Sequence, residues 1–108
     1  MTIISSQGYL NFEIVDRKVE ELEESGAEYV VIPCWAVGEI DGEEYAVQYD
    51  GHHTLEAARE LGLEVKFEIE EPEDSLTGED LLAQHYIDRD WYDVEKSDPA
   101  QDRYYNIW

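Results

Sequence analysis

The sequence predicts an α+β domain, a small mixed sheet with flanking helices. Three observations carry this. Tyr29 to Ile32 and Glu64 to Glu70 are strand-like: the first is β-branched and apolar, the second alternates apolar and charged side chains with period two. Val15, Val19 and Leu22, then Leu55, Ala58 and Leu61, repeat at helical spacing. Asp41-Gly42 between apolar runs is a strong hairpin signal, because a type I′ turn needs positive φ at both central residues. At 108 residues and 43% hydrophobic, the chain is long and apolar enough for one folded domain with one modest core.

Taken in order, a short strand is expected near Ile3 and Ile4, and a second at residues 10–14. Asp16 is the expected N-cap of the first helix, which Ser25-Gly26 ends. The hairpin follows, with residues 45–49 as its returning strand. The next helix starts near His52 and closes on Gly62, with Glu56 and Arg59 expected on its exposed side. After the strand at residues 64–70, Glu71-Pro72-Glu73-Asp74 breaks the pattern. Thr77-Gly78-Glu79-Asp80 opens a last helix through a capping box, and Leu81, Leu82, His85 and Tyr86 supply its apolar side. Residues 71–108 read as an acidic, aromatic, helical extension of a core at residues 14–70.

Charge bounds the function. Seven basic residues against 28 acidic ones give −21. Such a surface repels nucleic acid and anionic membrane and speeds association with basic partners. Seven scattered cations argue against direct DNA binding. Cys34 is the only cysteine, so neither an internal disulfide nor a cysteine zinc cage can form. The first residues lack a basic, then apolar, signal pattern, and no run is long enough to span a bilayer, which makes the cytoplasm the default expectation.

Asp50-Gly51-His52-His53-Thr54 is the stretch that looks like a site. A strand passes through a glycine turn into a helix, which aims backbone N–H groups and imidazoles at a spot where an anion would sit. Adjacent histidines on a helix point in different directions, so one is expected to face the pocket. Asp50, His52 and His53 also form a weak candidate metal set, and the alternative is that the turn is purely structural. Trp91 and Tyr92 among Asp88, Asp90 and Asp93 leave two readings open. The aromatics wrap the core, or they form an exposed patch that anchors a basic protein while carboxylates steer it.

The turn, the preceding Glu24-Ser25-Gly26 helix end, the Ile32-Pro33 strand and the closing Leu61-Gly62-Leu63 together resemble the ParB N-terminal domain and sulfiredoxin superfamily, over residues 19–69. The resemblance implies a ParB/sulfiredoxin-like fold and a nucleotide- or phosphate-binding turn at Asp50, Gly51, His52, His53 and Thr54, with Mg or a nucleotide as ligand and nuclease, NTPase or kinase chemistry in related proteins. This chain departs from the family pattern at two places. Thr54 stands where the family has its phosphate-clamping arginine, and His52 stands where a sulfiredoxin has its cysteine. A threonine hydroxyl lacks the bidentate fork of a guanidinium. The favoured expectation is therefore a small, acidic, non-catalytic protein acting on a basic, nucleic-acid-binding partner, as DNA-mimic inhibitors, antitoxin or immunity proteins and phage or plasmid accessory proteins do. The alternative is a ParB-like enzyme using the turn.

Overall fold

A computed structural model describes all residues, Met1–Trp108. One five-stranded sheet organises it. Strands β1 (Thr2–Ser5), β2 (Tyr29–Ile40), β3 (Glu43–Gln48), β4 (Glu64–Glu70) and β5 (Tyr92–Asp93) lie in the order β4-β2-β3-β1-β5. The sheet is mixed: β1 runs parallel to β3 and β4 parallel to β2, and the other pairings are antiparallel. Helices α1 (Phe12–Ser25), α2 (His52–Leu61) and α3 (Gly78–Gln84) complete the α+β domain. No helix is long and apolar enough to cross a membrane.

The β2–β3 hairpin closes on Asp41 (φ 51°) and Gly42 (φ 84°), the two positive values a type I′ turn needs. Strand β2 runs straight through Pro33. The ladder with β3 starts one residue later, at Cys34 opposite Gln48, so the missing proline N–H faces a stretch where β3 has ended. Its carbonyl still accepts from Tyr49 N at 3.4 Å.

The sheet buries both faces. Ile3, Val30, Ile32, Cys34 and Ala46 pack against Leu55 and Ala58 of α2 on one side. Ile4, Tyr45 and Val47 pack against Leu81 of α3 on the other. The C-terminal segment threads the sheet edge: Trp91 joins the α3-side core and the next residue, Tyr92, joins the α2-side core.

Several expectations are corrected. Residues 10–14 do not form a strand. Asn11, not Asp16, caps α1, its Oδ1 accepting from Glu13 N at 3.0 Å and Ile14 N at 3.4 Å, so the helix begins a turn early. Residues 71–108 are not a helical extension. After the seven residues of α3, whose Thr77–Asp80 capping box is present, come β5, one 3₁₀ turn at Pro99–Gln101 and irregular chain, because nothing there repeats at helical spacing. Tyr86 lies beyond α3 and is exposed. Glu56, expected in solvent, is 6% exposed, while its helical neighbour Arg59 is half-buried.

Candidate functional site

At the end of β3 the chain reverses through Asp50 and Gly51 into α2. Asp50 Oδ1 accepts from Gly51 N at 2.7 Å, and the Gly51 carbonyl accepts from Leu55 N at 2.8 Å to start the helix. Gly51 has φ 81°, and a Cβ there would stand 3.2 Å from Ile32 Cδ1, so both conformation and space call for glycine. No side chain caps α2. The amides of His52, His53 and Thr54 form no hydrogen bond, and these residues line a cleft of about 350 Å³ together with Asp50, Gly51, Gln7, Ile14, Lys18, Val31 and Pro33.

The two imidazoles leave this turn for different elements. His52 Nε2 lies 2.8 Å from Ser5 Oγ. Gln7 N donates to the same oxygen at 3.0 Å, so Ser5 Oγ joins the turn after β1 to the imidazole. Burial, and then the neighbouring His53, push the His52 pKa down to about 4, so the ring is neutral at physiological pH. His53 Nε2 accepts from Asn11 N at 3.1 Å, at the start of α1. Each histidine is thus a strut, His52 to β1 and His53 to α1. The candidate metal set is corrected on the same grounds. Both Nε2 atoms are engaged in hydrogen bonds, Asp50 turns back on its own loop, and no three His, Cys, Asp or Glu side chains gather to hold a metal ion. Thr54 is half-buried at the cleft wall.

Beneath α2 lies a second space of about 10 Å³, lined by Gln7, Gln48, His52, Glu56, Arg59 and Tyr92 among others. Gln48 is 2% exposed; its Nε2 donates to the Asp50 carbonyl at 3.1 Å, but its buried Oε1 has no partner. Burial first, and Asp98 second, push the Glu56 pKa up, with Arg59 opposing. Arg59 donates to the carbonyls of Val94 at 2.7 Å and Ser97 at 3.2 Å, fastening the C-terminal segment to α2. Sequence reasoning missed Ser5, Gln48 and Lys18 altogether. Only their neighbours in three dimensions, not their spacing, distinguish them.

The aromatic–acidic candidates are also corrected. Trp91, Tyr92 and Asp93 are all under a tenth exposed and do not form an open patch. Tyr92 donates its hydroxyl to the Gln7 carbonyl. Asp93 Oδ1 accepts from the amides of Glu95 and Lys96 and closes a local turn, while Asp88 accepts from those of Gly8 and Tyr9 and ties the C-terminal segment to the chain after β1. Asp90 is exposed. Cys34 is fully buried, and desolvation drives its thiol up to about 12, which leaves it inert.

Compared with known proteins, the chain matches no protein-family model, no curated protein and no solved structure.

Proposed function

We propose that this protein is a non-catalytic binding module whose anionic surface docks onto a basic, nucleic-acid-binding protein. The observation that carries the reading is the state of the charges. Of 28 carboxylates, one forms an ion pair, Glu21 with Lys18 at 3.7 Å. The cations are largely used elsewhere: Arg59 on carbonyls, Arg89 over the Tyr104 ring, Lys66 over Tyr29 and Lys96 over Tyr105. Like charges are left facing one another. Glu39 stands directly opposite Glu44 in the hairpin, and Asp16, Glu20 and Glu24 follow at i, i+4 along α1. Each such pair costs a few tenths of a kcal/mol, which a cationic partner would offset.

The absence of catalytic geometry at the turn supports the same reading, since both imidazoles are engaged in holding elements together. The test is fluorescence anisotropy with a labelled Lys/Arg-rich peptide over a salt series, beside polyglutamate of matched charge. Specific docking gives binding tighter than polyglutamate and a steep fall with salt. Affinity equal to polyglutamate, or none at low salt, ends the reading.

The three open amides of α2 beside Lys18 favour a second reading, in which the turn holds a phosphate or nucleotide, as the ParB-like resemblance implies. Calorimetry with ATP and CTP, with and without Mg²⁺, decides it; no heat from a folded sample removes it.

A further inference from the structure

The sheet has two edges, and they are finished differently. At the β5 edge the C-terminus folds back, with Asp93 N donating to the Tyr105 carbonyl at 2.8 Å and Ile107 N to the Trp91 carbonyl at 2.9 Å. The other edge is β4, seven residues long, with nothing laid against it. Glu64 N donates inward to the Glu28 carbonyl. Because strand residues alternate, Glu64, Lys66, Glu68 and Glu70 turn their backbone groups to β2, and Val65, Phe67 and Ile69 turn theirs outward. That row of free N–H and C=O groups is a template for another strand.

The side chains beside it define what that strand must be. On one face, Glu64 and Glu68 are exposed, while the only cation, Lys66, is folded onto the Tyr29 ring 3.9 Å away. On the opposite face stand Val65 and Phe67, half-buried at the margin of the α2-side core, and Ile69, 37% exposed. A second copy is disfavoured by charge, since each chain carries −21. The same carboxylates that discourage self-pairing attract the opposite sign.

We propose that β4 is the docking edge, and that its occupant is an extended segment of a basic protein whose residues alternate apolar with Lys or Arg. Added as a sixth strand, it bonds to the backbone of Val65, Phe67 and Ile69, sets its cations beside Glu64 and Glu68, and extends the apolar core with its other face. This rests on the anionic-binding reading and gives it an address.

The test uses the intact protein and a synthetic peptide of about ten residues alternating valine and lysine. Three comparisons accompany it: the same composition in two blocks, the alternating peptide N-methylated at every second amide, and the variant E64K/E68K. NMR hydrogen exchange is expected to show slowed exchange at the amides of Val65, Phe67 and Ile69. Blocking, N-methylation or charge reversal should each weaken binding roughly tenfold or more. N-methylation removes strand hydrogen bonds without touching charge or the protein's fold. Binding indifferent to it, or shifts confined to α1 or the hairpin tip, overturns edge docking and leaves the anionic-surface reading standing. No binding of any cationic peptide at low salt overturns both.

Discussion

The Ser5 hydroxyl and Nε2 of His52 lie 2.8 Å apart, and that bond fastens the last residue of β1 to the first residue of α2. Burial keeps this imidazole neutral, because a protonated ring here would be a desolvated charge with no carboxylate bonded to it. The folded state holds the His52 pKa at about 4 against 6.5 for an ordinary histidine. The unfolded chain therefore takes up the proton first, and stability falls as pH drops from 6.5 towards 4. The expected loss at pH 4.5 relative to pH 7 is on the order of 2 kcal/mol. Carboxylates titrate in part of the same window, so the measurement is urea unfolding of the wild type beside His52→Gln, which keeps a hydrogen-bonding partner for Ser5 but cannot be protonated. The difference between the two should shrink or reverse at low pH. Parallel pH profiles refute the role given to His52.

The neighbouring strut works at the start of α1. Asn11 caps the helix with its side chain, while its backbone N–H donates to His53 Nε2 at 3.1 Å. Asn11→Ala is expected to cost about 1 kcal/mol through loss of the cap, and His53→Ala a similar amount through the orphaned amide. Because both act on one residue, the double variant should depart from additivity by roughly 0.5 kcal/mol or more. A double-mutant cycle by thermal unfolding checks this; strict additivity means His53 does not hold Asn11.

These struts mark the limit of what the sequence makes legible. The hairpin at Asp41-Gly42, the ends of α1 and α2 at Gly26 and Gly62, and the alternating β4 are readable because local geometry alone demands those residues. The start of α1 is misread at Asp16 instead of Asn11 because Val15, Val19 and Leu22 mark a helical face without saying where it begins. The C-terminal segment is misread for a different reason. Trp91 and Tyr92 serve opposite faces of the sheet, and a two-residue strand has no period to detect. In the site, glycine at position 51 follows from the turn, but the destinations of the two imidazoles depend on Ser5 and Asn11, more than forty residues away in sequence. Glu56 and Arg59 look like a solvated pair until the C-terminal segment covers them.

Gln48 offers a sharper test of that buried region. Its Oε1 is unpartnered beside a space of about 10 Å³, close to the least that accommodates one water molecule. Gln48→Met removes the orphan acceptor and fills space, at the loss of one bond to the Asp50 carbonyl. The net change expected is within about 1 kcal/mol of zero. Gln48→Glu instead buries a carboxylate among acceptors and near Glu56, and should cost roughly 2 kcal/mol or more at pH 7, recovering as the pH is lowered and the carboxyl protonates. Denaturant titrations at pH 7 and pH 5 distinguish them. A destabilised Gln48→Met together with a benign Gln48→Glu would mean that the space is filled by a donor such as a cation.

Charge reversal on α1 separates stability from docking. Glu20 has Asp16 four residues before it and Glu23 and Glu24 three and four residues after it, with only Arg17 favourable among its helical neighbours. Glu20→Lys turns three repulsions into attractions and one attraction into a repulsion. It is expected to stabilise the protein by about 0.5 kcal/mol at low ionic strength. Because the gain is electrostatic and exposed, it should fade towards zero in 1 M salt, where screening acts over roughly 3 Å. The wild type, with −21 and one ion pair, should itself unfold at higher temperature as salt is added. The same substitution weakens the field that draws in a basic ligand without touching β4. Stopped-flow association with the alternating Val/Lys peptide should therefore slow while dissociation stays the same. A change confined to dissociation would place the contact on α1 instead of the β4 edge.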